Sequence, residues 1–294
     1  MNDSNTAEAA VETCRLAGAD GVMLTVDRYG DPSAPWVILA HGGGQTRHAW
    51  GGTAAALARR GWYALALDMR GHGDSDWSAA GDYRLAVFAA DLQALSASAP
   101  SPPVIVGASL GGMSGIVAAG EIGLELSALV LVDVTPRMEQ AGVDHIVSFM
   151  RAHMNSGFGS ADEAADAIAA YLPHRRRPRN LAGLRKNLRR RDDGRLYWHW
   201  DPVFMEESNR NMEDRDPDRL YAAAKNVKCP ILLVRGKLSQ LVSPAVAEEF
   251  VAAVPNARFV DVSEADHMVA GDDNDTFTVA VLNFLETLPA RNDA

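Results

Sequence analysis

Short apolar runs alternate with longer stretches rich in Ala and Leu along most of the chain. The runs are continuous rather than alternating, which is typical of strands buried on both faces of a sheet. They predict strands at Val22–Val26, Trp36–Ala40, Tyr63–Leu67, Val104–Val106, Leu129–Val132, Ile231–Val234 and Phe259–Val262. The stretches between them predict helices at Ala54–Arg60, Arg84–Ser96, Met113–Glu121 and Ala245–Val254. This alternation predicts the α/β class, with a mostly parallel central sheet and helices on both faces.

Two segments depart from this alternation. The residues before about Gly18 are mainly polar and predict an irregular tail. From Pro136 to Asn226 the pattern is helical throughout, and the strand pattern resumes only at Ile231. A helical block between two core strands predicts a cap over one end of the sheet. We therefore expect a core formed by residues 1–135 and 227–294, and a helical cap, or lid, formed by residues 136–226.

Composition narrows the class of protein. The 294 residues carry a formal net charge of −10, which disfavours nucleic-acid binding because phosphate attraction supplies most of that affinity. The apolar runs are far shorter than the roughly 18 residues that span a bilayer, and the acidic N-terminus has no secretory pattern. Cys14 and Cys229 are the only cysteines, and we expect both to be reduced thiols. These features predict a cytoplasmic protein with neither a nucleic-acid nor a membrane partner. They leave a homo-oligomer open.

The sequence Gly107-Ala108-Ser109-Leu110-Gly111 follows a predicted strand and precedes a predicted helix. A G-x-S-x-G sequence is weak evidence alone, but between a strand and a helix it predicts a nucleophile elbow. Glycines suit such a turn because neighbouring backbone passes where a Cβ would lie. Ser109 is therefore the candidate nucleophile, at the carboxyl end of the sheet beside the positive end of the following helix.

A second glycine-rich loop, His41-Gly42-Gly43-Gly44, directly follows the predicted strand Trp36–Ala40. Acyl transfer requires hydrogen-bond donors aimed at the oxyanion that develops, and backbone N–H groups in such a loop can approach it closely. Neither a G-x-G-x-x-G nor a G-K-[ST] sequence is present to indicate phosphate binding. We expect the oxyanion hole to use the N–H groups of Leu110 and Gly43, with Gly44 as the weaker alternative to Gly43.

A serine nucleophile needs a base, and a neutral imidazole is the usual one. The chain has eight histidines, so position along the sequence must discriminate among them. His267, in Ala265-Asp266-His267-Met268, follows the last predicted strand. This position completes the chain order of serine, acid and histidine that accompanies the elbow, and His267 is therefore the candidate base.

Taken together, the HGGG loop, the stretch Asp68-Met69-Arg70-Gly71-His72-Gly73-Asp74-Ser75, the GASLG elbow and the DHM histidine resemble the α/β-hydrolase family. The resemblance extends from about Leu24 to Leu288. It implies the α/β-hydrolase fold and a subgroup of capped serine esterases, lactonases, carbon–carbon bond hydrolases and cofactor-free haloperoxidases. Related dehalogenases and epoxide hydrolases use an Asp nucleophile, which Ser109 disfavours here. The resemblance implies neither a cofactor nor a metal, and it gives His72 a structural role.

The acid of the triad is the point at which the sequence departs from that family. The family usually places it just after the strand that here reads ILLVRG, where Gln240 stands instead. An amide can orient the imidazole but offers no charge to the imidazolium. Three hypotheses remain open. Asp133, at the end of the preceding core strand, is the acid; Gln240 replaces a natural acid; or the protein is a ligand receptor with an impaired site.

Aromatic and Met side chains in the predicted cap indicate an apolar and adaptable pocket roof. Within it, Trp198, Trp200 and Met150 are candidate substrate-binding residues. With Ser109 at the floor, this composition predicts hydrolysis of a small apolar carboxylic ester or a lactone. Carbon–carbon bond hydrolysis and perhydrolysis, the latter giving cofactor-free haloperoxidase activity, would use the same triad and stay open as alternatives.

Overall fold

The computed structural model describes residues 11–171, 177, 180–206, 209, 213–262 and 275–288. The strands in these residues are β1 Glu12–Ala17, β2 Met23–Tyr29, β3 Trp36–Ala40, β4 Tyr63–Leu67, β5 Val104–Ala108, β6 Ala128–Val132, β7 Leu188–Arg190, β8 Leu196–Trp198, β9 Ile231–Gly236 and β10 Ala257–Val262. The helices are α1 Gly51–Arg59, α2 Leu85–Ser96, α3 Leu110–Gly120, α4 Gln140–Ala152, α5 Ala161–Tyr171, α6 Ala182–Arg185, α7 Pro217–Asn226, α8 Pro244–Ala253 and α9 Asp275–Glu286. All of the predicted strands and core helices are present, with ends displaced by at most a few residues.

The main sheet has eight strands in the order β1-β2-β4-β3-β5-β6-β9-β10. The strands from β4 to β10 in that order are parallel to one another. At the β4 edge, β2 pairs antiparallel with β4, and β1 pairs antiparallel with β2. Every residue of β3, β4, β5 and β6 is buried, which explains their uninterrupted apolar sequences. The prediction of the α/β-hydrolase fold, with a mostly parallel central sheet, is confirmed.

Helices cover both faces of this sheet. On β3, Ile38 contributes to one buried cluster and Leu39 to the other, because successive strand residues point to opposite faces. The cluster around Ile38 includes Phe88 of α2, Ile116 of α3, Leu220 of α7 and Phe250 of α8. The cluster around Leu39 includes Leu57 of α1 and Val281 of α9. The two layers hold the carboxyl ends of the central strands in a fixed array.

Strand β1 was not predicted, because its sequence has no apolar run. It lies at the edge of the sheet and pairs antiparallel with β2. The pairing is supported by a hydrogen bond of 2.7 Å from Thr13 Oγ1 to Asp27 Oδ1. An edge strand with one exposed side needs little apolar sequence, so the prediction of an irregular tail is wrong from Glu12 onward.

The segment between β6 and β9 contains helices α4 to α7 together with the antiparallel ribbon of β7 and β8. The prediction that this segment is entirely helical is therefore wrong. Each ribbon strand has only three residues, too few for a strand pattern to emerge. The last of its helices, α7, packs against α3, and a Cβ on Gly120 would lie 2.0 Å from the carbonyl oxygen of Ala223. The division into core and cap stays a prediction.

Among the helices that the structure describes, none is both long enough and apolar enough to cross a membrane.

Candidate active site

Ser109 occupies the single residue between β5 and α3. Its backbone has φ 43° and ψ −108°, a region that residues with a Cβ rarely adopt. Such a conformation costs about 1 to 3 kcal/mol and persists only where the surroundings impose it. Here the constraint is the abrupt change from strand to helix. The serine side chain therefore stands at the carboxyl end of the sheet, where the sequence predicted a nucleophile elbow.

The glycines around Ser109 are required by close backbone approach. A Cβ on Gly107 would lie 2.4 Å from the backbone of Gly111 and Gly112. A Cβ on Gly111 would lie 2.3 Å from the carbonyl oxygen of Ala40, at the end of β3. The Gly111 N–H donates to the His41 carbonyl at 3.2 Å. The elbow is consequently pressed against the start of the glycine-rich loop, which brings the two predicted motifs together.

His41 sets the direction of that loop. Its Nε2 accepts the N–H of Met69 at 3.0 Å, so its Nδ1 carries the proton and donates to the Gly42 carbonyl at 2.8 Å. The Gly42 carbonyl also accepts the N–H of Gln45 at 3.1 Å. A trans peptide directs its N–H opposite to its carbonyl, so the Gly43 N–H is turned away from His41. A Cβ on Gly42 would lie 3.4 Å from the Ser109 Cβ, which places this peptide beside the serine.

The stretch from Asp68 to Ser75 holds in place the residues that follow the glycine-rich loop. The Asp68 carboxylate accepts the N–H of Arg47 at 2.6 Å and that of Asp74 at 2.9 Å. The Arg47 guanidinium in turn forms ion pairs with Asp27, Asp68 and Asp74. Burial opposes the charge on this guanidinium, but the negative charge of Asp68 and the other carboxylates raises the pKa of Arg47. The cluster ties the residues after the glycine-rich loop to the core.

Two fully buried imidazoles lie under the loop. Their ring centroids, in His41 and His72, are 5.2 Å apart. Burial lowers the pKa of His41 to about 4. Burial, together with the neighbouring His41, lowers the pKa of His72 to about 3. The His72 Nδ1–H donates to the Arg70 carbonyl at 3.0 Å. Both rings are therefore neutral at physiological pH, and each donates a hydrogen bond to a backbone carbonyl.

This pair predicts a loss of stability in mild acid. Below about pH 6.5 the two imidazoles bind protons in the unfolded chain, whereas in the folded chain they stay neutral until about pH 4 and about pH 3. The free energy of unfolding is therefore highest above this range and falls with decreasing pH, by up to about 1.4 kcal/mol per pH unit for each ring. At about pH 5 each ring accounts for about 2 kcal/mol.

Urea unfolding monitored by tryptophan fluorescence, at about pH 7.5 and about pH 5, measures this slope. His72→Asn keeps a donor for the Arg70 carbonyl and removes one titrating group, so we expect a shallower slope than in the unaltered protein. An equal slope in the two proteins would contradict the assignment.

Ser109 opens into a large cavity whose empty space of about 780 Å³ includes open solvent. Gly43 and Ser109 form its floor, and Phe149, Met150, Trp198 and Trp200 form the roof on the cap side. The roof is attached to the core where the Gly71 carbonyl accepts the N–H of Asp201 at 2.8 Å and the His199 carbonyl accepts the N–H of Gly73 at 2.7 Å. The candidate residues Met150, Trp198 and Trp200 thus line the same cavity as the serine. Asn187 and Gln45 add polar groups to an otherwise mainly apolar wall.

A small cavity, whose empty space of about 530 Å³ also includes open solvent, meets the large one at Ser109, Gly43 and Met150. Leu110, Met113, Met138 and Leu241 contribute to its apolar wall. Arg215 also lines it, although nothing in the sequence Met212-Glu213-Asp214-Arg215-Asp216 distinguishes this arginine from a surface residue. Only the folded chain reveals that this arginine lines the same cavity as the serine.

The two candidate acids occupy different environments. Asp133 directly follows β6, which pairs with β5 so that Val132 lies opposite Ala108, and Asp133 is therefore one strand away from Ser109. Asp133 is buried, has φ 51°, and its Oδ2 accepts a hydrogen bond from Ser239 Oγ at 2.8 Å. Gln240 is exposed and lines neither cavity. His267 lies outside the described residues.

Comparison with known proteins gives consistent matches over most of the chain. A family model described as the alpha/beta hydrolase fold matches residues 35–273. The esterase Rv0045c of Mycobacterium tuberculosis is 32% identical over 292 residues, covering 94% of each chain. The 2-(acetamidomethylene)succinate hydrolase of Mesorhizobium japonicum is 28% identical over 269 residues, covering 90% of this chain and 92% of that protein. A solved structure of Rv0045c superposes with a TM-score of 0.73 at 29% identity, covering 96% of this chain and 94% of the other.

Proposed function

The chain belongs to the α/β-hydrolase family, and from this premise we propose that it is a serine hydrolase that cleaves a carboxylic ester or lactone. The observation that carries the proposal is the position of Ser109, strained at φ 43° and beside the glycine-rich loop at the junction of two cavities. The esterase name of the 32% identical relative supports an ester as the substrate class.

In the proposed reaction, His267 removes the proton of Ser109 Oγ as this oxygen attacks the ester carbonyl carbon. The carbonyl oxygen becomes an oxyanion that accepts hydrogen bonds from the N–H groups of Gly43 and Leu110. Leu110 is the first residue of α3, and the first N–H groups of a helix have no partner within the helix. Collapse expels the alkoxide, which takes the proton from His267. Water then attacks the acyl-enzyme with His267 as base and releases the acid.

Asp133 is the acid in this proposal. Its burial and its position one strand away from Ser109 support the role, whereas Gln240 is exposed. A buried carboxylate fixes the imidazole tautomer and stabilises the imidazolium that forms. The candidate role of Met150, Trp198 and Trp200 is to hold the apolar part of the substrate, and their place in the large cavity supports it.

A fluorophosphonate probe tests the proposal, because it phosphonylates an activated serine and leaves unactivated hydroxyls unmodified. We expect one equivalent to be incorporated at Ser109, as measured by intact-protein and peptide mass spectrometry, and none in Ser109→Ala. The unaltered protein should hydrolyse short-chain aryl esters, and Ser109→Ala should lose this activity together with the labelling. Absence of labelling in protein shown to be folded by circular dichroism would favour a ligand receptor.

The second candidate is hydrolysis of a bond other than an ester by the same residues. The relative named as 2-(acetamidomethylene)succinate hydrolase supports it. Labelled protein that cleaves no member of an ester and lactone panel would favour this candidate over esterase activity.

A further inference from the structure

We propose that Arg215 binds a carboxylate of the substrate in the small cavity, so that the ester cleaved at Ser109 belongs to an acid-bearing molecule. This inference rests on the proposed serine hydrolase function and narrows its substrate class. It also departs from the uncharged substrate that the apolar cap residues alone predict.

Arg215 is partly buried, and its guanidinium differs from those of the fully buried arginines. Arg47, Arg70 and Arg235 form ion pairs with Asp27, Asp91 and Asp261, respectively. Arg215 forms neither an ion pair nor a hydrogen bond within the part of the chain that the structure describes, and its Nε is buried without a partner. A buried cation without a partner is strongly destabilising, so an anion from beyond the described residues is expected at this position. The substrate can supply it, because Arg215 and Ser109 line the same cavity.

The neighbouring carboxylate is engaged elsewhere. Asp214 Oδ2 accepts the N–H of Leu85 at 2.8 Å, and its Oδ1 accepts Arg219 Nη1 at 3.4 Å. Burial lowers the pKa of Arg215, and the negative charge of Asp214 opposes this shift. A guanidinium stays protonated throughout the physiological range. Arg215 therefore presents a full positive charge to the small cavity.

The remainder of the small cavity determines which anion fits. The other described residues of its wall are uncharged, and most are Met, Val, Leu, Ile or Phe. In such surroundings a charge-assisted bond between a guanidinium and a carboxylate is strong and often bidentate. A single guanidinium balances the single charge of a carboxylate, whereas a phosphate dianion would retain excess charge in an apolar wall. The same cavity reaches Ser109, so a substrate can place an ester at the serine and a carboxylate at Arg215.

The experiment compares kcat/KM for monomethyl glutarate and for methyl valerate, which has the same chain length without the carboxylate. We expect the unaltered protein to prefer the charged ester. We expect Arg215→Met to lower the ratio of the two kcat/KM values about 100-fold, as for loss of one partner of a desolvated charge pair. Arg215→Lys should lower the ratio less, because it keeps the charge and loses only the planar fork.

Arg185→Met is the matched control, since Arg185 is an exposed arginine of α6 and its replacement removes the same charge. It should leave the ratio unchanged. Fluorophosphonate labelling of each variant reports whether the serine site remains intact. Labelled protein that shows no preference for the charged ester, or a preference that survives in Arg215→Met, would overturn this inference and leave the serine hydrolase function in place. Folded protein that is not labelled and cleaves neither ester would overturn both.

Discussion

Ser109→Ala is expected to lower kcat for ester hydrolysis by about 10⁵- to 10⁶-fold, comparable to removal of the nucleophile from other serine hydrolases. The hydroxyl supplies the attacking oxygen, and no other group can form the acyl-enzyme. Alanine keeps the Cβ and hence the same backbone restriction at φ 43°. We therefore expect the free energy of unfolding to change little while activity is lost. Steady-state kinetics and urea unfolding of the same preparation measure the two quantities.

A second substitution at the same position checks the strain. Glycine adopts positive φ readily, so Ser109→Gly should be more stable than Ser109→Ala by about 1 kcal/mol, toward the lower end of the cost of such a conformation. Equal stability of the two variants would show that the elbow holds no strain at this residue. Residual turnover above about 1% in Ser109→Ala, with the contaminating host esterases excluded, would contradict the role of the serine.

Asp133→Asn is expected to lower kcat by about 10⁴-fold, the effect of the corresponding amide replacement in a serine protease. The asparagine amide can donate where the carboxylate only accepts, which favours the wrong imidazole tautomer, and it gives no charge to the imidazolium. Gln240→Ala should change kcat by less than about threefold, because Gln240 is exposed and a surface substitution has little effect. Kinetics of the two variants with one activated ester make the comparison.

Gln240→Asp separates the remaining hypotheses about the acid. If Asp133 is the acid, a carboxylate at position 240 gives no large gain. A rise of kcat by orders of magnitude in Gln240→Asp, together with a small effect of Asp133→Asn, would identify position 240 as the altered acid position.

Ser239→Ala removes the hydroxyl that donates to Asp133 Oδ2 at 2.8 Å. We expect it to lower kcat moderately, about tenfold, since the carboxylate stays but loses one partner that orients it.

Local sequence was informative wherever a motif lies within a few consecutive residues. The GASLG elbow and the HGGG loop were predicted because glycine is required where a Cβ would clash with neighbouring backbone, as at Gly111 beside the Ala40 carbonyl. Strand β1 and the ribbon of β7 and β8 were missed for the opposite reason. An edge strand and three-residue strands are stabilised by their partners, and their own residues carry little pattern.

The sequence by itself determined the fold class, the elbow and the loop that faces it, because continuous apolar strands and clustered glycines have few other structural uses. Tertiary structure decided which distant residues surround Ser109. It placed Asp133 one strand away, exposed Gln240, and turned Arg215 into a cavity more than 100 positions from the serine along the chain. The physical reason is that burial and unpaired charge are properties of the packed chain, and neither is written in the residues adjacent to Arg215.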